Sequence, residues 1–333
     1  MIGTETQEVE RKERLILKIL NDSQQPLGAR VIARLLQGHG VYLGERAVRY
    51  HLKLMDERGL TRLVSRDGRL ITELGIEELG DALVRDKVGF AIARIELLAF
   101  RTDFDLNKRT GVIPVNVSLF SKSKFEKAVQ VMKPIFTAGI CVSDLVAVAH
   151  EGEQLGDLIV PTGKIGLATV CSILINGTLL KAGVPMDSRF GGILQIRNHK
   201  PFRFVELIHY AGSSLDPSEV FIRARMTSLR DVVRMGNGKM LANFREIPAL
   251  CRPIAENVVA KLKEAGLGGL MVMGNTSEPV CEIPVEVNRI GMIFIGGLNP
   301  VAAAEEAGIE AENYAMSTVM EYQKLKRFQE VMS

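Results

Sequence analysis

The sequence predicts a chain of mixed class, α+β and α/β: an N-terminal winged helix-turn-helix followed by an α/β domain made of two related halves. Three observations carry this. The first eighty residues hold three segments of helical period and then a hairpin signal. Beyond about residue 100 the composition shifts towards Gly, Val and Ile in alternating strand-like and helical runs. That second region also resembles itself at a nearly fixed spacing. A length of 333 residues suits about two domains. They fall at 8–80 and 101–330, with a helical connector at 81–100.

In the first domain, Leu15, Ile16, Ile19 and Leu20 recur at helical spacing over 8–21, and Asn21, Asp22 and Ser23 break the pattern. Pro26 and Leu27 lead into a second helical run, Val31, Ile32, Leu35 and Leu36, closed by Gly38 and Gly40. A third helix starts near Gly44 and runs to Gly59, which suits a left-handed cap. Val48, Leu52 and Met55 form its apolar stripe. Arg46, Arg49, Tyr50 and Lys53 then lie on the opposite side, where a recognition helix meets the major groove. Strand-like runs at 60–64 and 70–72 flank Arg66-Asp67-Gly68-Arg69, and Asp-Gly in that position marks a hairpin. Arg66 and Arg69 at its tip are placed to reach an adjacent minor groove. Between residues 28 and 70, nine Lys/Arg stand against four acids, a local balance of +5 that suits double-stranded DNA. A merely solvated face, or a winged helix that binds protein, is the alternative reading of the same charges. His39 and His51 lack metal-ligand spacing and read as a loop residue and a partly buried ring.

Apolar residues make up 47% of the chain and charged residues 24%, which excludes a mainly disordered or fibrous protein. The longest apolar runs, 165–175 and 290–298, fall short of the roughly 18 residues of a membrane span. The N-terminus is polar, then charged and helical, unlike a signal peptide. Cys141, Cys171, Cys251 and Cys281 show neither CxxC spacing nor secreted-scaffold density. The expectation is a cytoplasmic protein with reduced thiols and no membrane partner.

The internal repeat is more informative. At a spacing of 127, Gly111, Asn116, Ala128, Val131, Ala138 and Gly139 recur as Gly238, Asn243, Ala255, Val258, Ala265 and Gly266. After a two-residue deletion the spacing becomes 125, and Ile165, Gly166, Ala182 and Gly183 recur as Ile290, Gly291, Ala307 and Gly308. The copies span 111–184 and 238–309. The first predicts a strand near 112–119, a helix near 123–138, strands near 144–149 and 164–171, and a short helix near 178–183. An insertion near 186–236 carries the strand-like runs GGILQI and RFVELIHY. Neither half has an obvious complete core, so the two form one domain with a cleft between them.

In the second copy a strand ends in Gly296-Gly297, with Asn299 as an N-cap and Pro300 at the first helical position. Glycines ahead of a helix let an anion approach its free N–H groups. Cys171 and Ser172 hold the equivalent positions in the first copy, and Asn176-Gly177-Thr178 enters the helix. The two loops are placed to receive one small acid through N–H donors and the Ser172 hydroxyl. Strand–glycine–helix turns that bind nothing are common, so this reading rests on the pairing across the repeat.

Tests for catalysis come back empty: no GxSxG elbow, P-loop or HExxH is present. His150, His199 and His209 stand apart from the cysteines, so no metal site is expected. Cys171 with His209 as base is the one nucleophile pairing, but a Cys at a strand end is more often a packing residue. The expectation is no enzyme and no cofactor. Lys164 and Arg289 precede repeat-matched strands. Arg189, Arg197, Arg203, Arg223 and Arg225 of the insertion are candidate carboxylate partners, with nothing to select among them.

Several stretches then carry a resemblance: RAVRYHLKLMDERGL at 46–60, ATVCSILINGTLLKAGVP at 168–185, DSRFGGIL at 187–194 and MTSLRDV at 226–232. GKMLANFREIPA at 238–249 and RIGMIFIGGLNPVAAAEEAGIEAENYAMST at 289–318 follow in order. Over about 10–330 the chain resembles the NrpR family of nitrogen-regulatory repressors, with a winged helix and one regulatory domain. The resemblance implies a homodimer or higher homo-oligomer that represses nitrogen-assimilation genes at a palindromic operator. It also implies that a small dicarboxylate effector, 2-oxoglutarate, releases it. Carried over by position, Cys171 is the leading pocket residue, with Thr169, Ser172, Asn176, Gly296, Gly297 and Asn299 beside it. Some members carry two regulatory domains where this chain has one, and Ala168 stands where a Gly is expected. A repressor sensing another small acid or amino acid is the alternative, and a Cys-dependent enzyme fused to a DNA-binding module a more distant one.

Overall fold

The computed structural model describes residues 2–23, 25–38, 41–64, 68–80 and 89–331. The chain divides into two compact units, 1–87 and 88–333. In the first, α1 (Ile2–Ser23), α2 (Ala29–Gly38) and α3 (Glu45–Glu57) precede a hairpin of β1 (Thr61–Val64) and β2 (Gly68–Ile71), followed by α4 (Glu73–Gly80). Ile16, Leu17 and Leu20 of α1 pack on Ile32 and Leu36 of α2 and on Val48, Leu52 and Met55 of α3, so three amphipathic stripes make one core. Leu27 bridges to Arg69 across the hairpin. That approach requires glycine at position 68, where φ is 122° and a Cβ would fall 2.3 Å from the Leu27 carbonyl carbon.

The second unit opens with α5 (Phe90–Arg101), expected as part of a connector. Instead its Ala91, Ile95, Leu98 and Ala99 pack with Cys171, Ile173, Tyr210 and Met316, because its buried stripe completes that cluster. The first half then runs β3 (Val112–Ser121), α6 (Phe125–Thr137), β4 (Leu145–His150), the small hairpin β5 (Gln154–Leu155) and β6 (Leu158–Ile159), and β7 (Lys164–Val170). It ends with α7 (Ile173–Lys181) and β8 (Asp187–Arg197). After β9 (Lys200–His209), α8 (Pro217–Arg223) and α9 (Leu229–Met235), the second half repeats the order as β10 (Gly238–Pro248), α10 (Arg252–Glu264), β11 (Leu270–Thr276) and β12 (Arg289–Ile295). It closes with α11 (Asn299–Glu306), β13 (Ala311–Glu321), β14 (Lys326–Arg327) and α12 (Phe328–Val331).

The strands form two large antiparallel sheets, β13-β3-β7-β4-β14 and β11-β12-β10-β8-β9. The last strand of each half therefore sits in the other half's sheet. β8 pairs with β10, Leu194 opposite Met240, and β13 pairs with β3, Met320 opposite Ile113. The repeat thus extends beyond residues 184 and 309 to include β8 and β13, and β8 belongs to it rather than to an insertion. This exchange is why neither half shows a complete core in its sequence. β3 and β10 are buried along nearly their whole length, as strands covered on both faces must be.

Two expectations about the helix starts are corrected. α7 begins at Ile173, so Asn176, Gly177 and Thr178 lie inside the helix rather than at its start. Nearly every residue of α7 is buried, which erases the helical period that would have marked its first turn. Gly177 lets α5 come close: a Cβ there would meet the Thr102 side chain at 2.3 Å and the Ala99 carbonyl at 2.7 Å. Asn299 is not a cap. It is fully buried in the first turn of α11, and its Oδ1 accepts from the Leu241 N–H at 2.9 Å. Its Nδ2 donates to the Leu241 carbonyl at 3.0 Å, clamping α11 to β10. Asn299→Ala leaves both backbone groups short of a partner, so a loss of about 2–4 kcal/mol in denaturant unfolding is expected.

Candidate nucleic-acid face and ligand cleft

On α3, Arg46, Arg49, Tyr50 and Lys53 are all exposed, Tyr50 by 62%, while Val48, Leu52 and Met55 are buried. The four form one open, cationic face. Glu45 at the start of the helix accepts from Arg30 of α2 at 3.2 Å and from Arg49. The hydrogen bond from Arg30, with the charge of Arg49 beside it, holds the Glu45 carboxyl below its usual range. Lys53 lies 3.8 Å from Glu57. Surface pairs of this kind are weak and yield readily to phosphates.

The wing is arranged differently from expectation. Arg66 lies outside the described residues. Arg69 turns inward: its Nε donates to Asp56 at 2.7 Å and only 20% of its side chain is accessible. Asp56 also accepts from the Thr61 hydroxyl at 2.6 Å, so Arg69 braces the wing against the end of α3 rather than reaching outward. Among the described residues, Arg62 of β1 is the exposed wing arginine that makes no ion pair.

In the second unit the starts of α7 and α11 come together. Ser172 and Ile173 at the start of α7, and Gly297 and Leu298 ahead of α11, line one small cavity. The repeat-equivalent Asn116 of β3 and Asn243 of β10 also line it, and Cys171, Tyr210, Asp216 and Arg245 are part of its wall. Its volume is about 20 Å³, room for about one water. Glycine at 297 is dictated by close packing, since a Cβ would fall 2.6 Å from the Val170 carbonyl oxygen. Of the residues expected at a ligand, Cys171, Ser172 and Gly297 line this cavity. The others stand behind it. The Thr169 hydroxyl accepts from Asn116 at 3.4 Å, Asn176 donates to the Ser188 hydroxyl at 2.9 Å, Gly296 packs on Leu241, and Asn299 clamps α11.

Arg245 dominates the electrostatics. It is 1% accessible, Nη1 donates to the Ser172 carbonyl at 2.9 Å, and Nη2 donates to the Ser172 hydroxyl at 2.7 Å. Its Nε has no partner, and the Phe294 ring lies 4.9 Å from the guanidinium carbon. Burial pulls its pKa down, opposed by Tyr210, Cys171 and Asp216 around it. Asp216 caps α8 by accepting from the Ser218 N–H at 2.7 Å, and burial pushes its carboxyl up. Asn243 Nδ2 donates to the Ser172 hydroxyl at 3.3 Å, and its Oδ1 has no partner. A desolvated guanidinium with an unused N–H, beside a hydroxyl, amides and two helix starts, suits a carboxylate.

Burial pushes the Cys171 thiol up to about 12, and its sulfur accepts from the Ile173 N–H. It is a neutral packing and wall residue, not an activated nucleophile. His209 is exposed on β9 with its ring against Phe190 at 5.8 Å. Among the described residues, no group of three or more His, Cys, Asp or Glu is placed to hold a metal ion. No described helix is long and apolar enough to cross a membrane.

The arginines expected as carboxylate partners are engaged elsewhere or exposed. Arg189 pairs with Asp187 at 3.1 Å and Glu286 at 2.7 Å, and Arg197 and Arg203 lie over the Phe202 ring. Arg223 and Arg225 are exposed. Lys164 pairs with Glu312 at 2.9 Å, and Arg289 lies 3.7 Å from Glu246. The missed arginine, Arg245, had a signal: it sits two residues beyond the repeat-matched Asn243, hence on the same side of β10.

The fold defines a class, a winged-helix transcription regulator with a second domain built of two related halves. Residues 88–327 match the family described as NrpR regulatory domains NRD1 and 2, and residues 14–79 match the Ribonuclease R winged-helix domain. The chain belongs to the NrpR family of nitrogen regulators. It is 42% identical over 96% of its length to the Global nitrogen regulator NrpRI of Methanosarcina mazei, covering 98% of that protein. It is 31% identical over 94% of its length to the Global nitrogen regulator NrpR of Methanococcus maripaludis, of which it spans 54%. The crystal structure of a nitrogen repressor-like protein from Methanococcus jannaschii superimposes with a TM-score of 0.61 at 27% identity, covering 72% of this chain and 98% of that one.

The inward turn of Arg69 has a measurable consequence. Arg69→Met removes a charged hydrogen bond from the first unit, so a loss of about 1.5–3 kcal/mol in its unfolding is expected. An exposed arginine would change stability by less than about 0.5 kcal/mol.

Proposed function

We propose that this chain is a cytoplasmic, DNA-binding repressor of nitrogen-assimilation genes. It acts as a homodimer and leaves its operator when 2-oxoglutarate occupies the cleft of the second unit. The observation that carries the ligand half of this reading is Arg245, buried beside the two helix starts with an unused N–H. One carboxylate of the effector is assigned to Arg245 and Ser172, and the other to the start of α11 at Gly297 and Leu298. The DNA half rests on the open face of Arg46, Arg49, Tyr50 and Lys53, two copies of which on a two-fold dimer match inverted half-sites.

A cavity of about 20 Å³ is far below the roughly 300 Å³ of ordinary small-molecule sites, so admitting a dicarboxylate requires its walls to move. Tyr210 and Asp216 belong to the segment after β9, while Arg245 and Ser172 come from different halves. Separating them shifts one half against the other, and a coupling of about 1–3 kcal/mol changes DNA affinity about 5- to 150-fold. A second reading has its own observation. The unpartnered acceptor Asn243 Oδ1 suits a ligand with an N–H or O–H, such as an amino or hydroxy acid. A ligand panel in a thermal-shift assay separates the two.

Two measurements test the proposal. In a gel shift with nitrogen-gene promoter DNA, 2-oxoglutarate should weaken binding 5- to 150-fold, and Lys53→Ala should make the salt dependence shallower by about one phosphate contact. Binding indifferent to 2-oxoglutarate would falsify the effector assignment. In calorimetry, Arg245→Met should abolish 2-oxoglutarate binding. Because burial already raises the Asp216 pKa, an arriving dianion raises it further and binding takes up a proton. Affinity should therefore fall as pH climbs through the ionisation of Asp216. Asp216→Asn keeps the cap on α8 and should bind more tightly, with the pH dependence flattened.

A further inference from the structure

The helix α5 has two apolar faces. Ala91, Ile95, Leu98 and Ala99 are buried within the second unit. On the opposite side Phe90, Ala93, Leu97 and Phe100 follow at intervals of three, four and three residues, the a/d spacing of a coiled-coil seam. Leu97 is 48% accessible and Phe100 70%, and Leu180 of α7 is exposed as well. Large apolar side chains gathered in one exposed stripe mark an interaction surface.

We propose that this stripe is where two copies of the chain meet, with their α5 helices parallel and in register. The proposal rests on the homodimer reading above and assigns its surface. The charges beside the stripe select the partner and the direction. Glu96 flanks one side (position g) and Arg101 the other (position e). In a parallel pair, g of one helix meets e of the other five residues on, so Glu96 meets Arg101 of the second copy, twice by symmetry. An antiparallel pair would set the e flanks, and with them the two Arg101 side chains, against each other, while Arg94 on the same flank is held by the Met316 and Ser317 carbonyls of its own domain. Arg101 lies 3.5 Å from Asp157 in an exposed pair and can be shared. A parallel pair also brings the two Phe90 ends of α5 side by side. At 12 residues α5 is too short to form a coiled coil alone, but it is already ordered on its own domain, which removes most of that cost.

The test is sedimentation of the full chain. Wild type should be dimeric, and Leu97→Glu combined with Phe100→Ser should raise the dimer dissociation constant at least tenfold while the circular dichroism spectrum stays native. Ala93→Cys should form a symmetric disulfide on mild oxidation, above the background of identically treated wild type. A dimer that survives the double substitution overturns the seam and leaves the homodimer intact, whatever covers the stripe instead. A monomeric wild type overturns both. Dissociation by the double substitution without any crosslink at position 93 overturns the parallel register.

Discussion

The exchange of terminal strands between the two sheets is the constraint on which the second unit depends. β8 leaves the first half to extend the ladder of β10, and β13 leaves the second half to extend that of β3. Each half therefore supplies backbone hydrogen bonds the other cannot replace, and a strand withdrawn from either sheet would expose a long, apolar edge. The aromatic packing follows the same logic: Phe190 of β8 stacks on Phe244 of β10 at 5.2 Å, a contact between the two repeats rather than within one. A duplication folded this way cannot drift into two independent domains, because each half's sheet includes a strand from its twin.

The cleft is a product of that exchange. Ser172 stands at the junction of β7 and α7 in the first half, Arg245 in the middle of β10 in the second, and their two hydrogen bonds run from one half to the other. A guanidinium this deeply buried is costly unless its donors are used, and Nε is the nitrogen left without a partner. Asp216 lies close enough to be felt by Arg245 but accepts its hydrogen bond from the Ser218 N–H. The positive charge is thus balanced loosely. That is the condition under which an incoming carboxylate gains most, since it satisfies a donor already stripped of water.

How much of this was legible in the sequence varied with the kind of signal. The head was legible because its helices are amphipathic: Val48, Leu52 and Met55 marked the buried side of α3 and so placed Arg46, Arg49, Tyr50 and Lys53 outside. Arg69 was misread because a hairpin signal locates a turn without saying which way a side chain leaves the pleat, and only Asp56, thirteen residues earlier, decides that. In the second unit the repeat located the cleft through Cys171, Ser172 and Gly297. It did not reveal the start of α7, a helix apolar on all sides, nor β8 and β13 as equivalents. Arg245 was hidden for a related reason: arginines are sought at surfaces, and this one occupies a core position of a central strand.

A single bond pattern then links the cavity to the exposed face of α5. α5 packs its inner face on Cys171 and Ile173, and crosses α7 where Gly177 admits it. Ser172, held by Arg245, is the N-cap residue immediately before α7. The Arg245–Ser172 hydrogen bonds therefore fix the first turn of α7, the surface against which α5 is seated. Because packed interfaces rearrange between discrete states rather than bending gradually, even a small displacement there repositions α5 as a unit. The outer stripe of that helix moves with its inner one, so the exposed face of α5 is tied to the packing around Ser172.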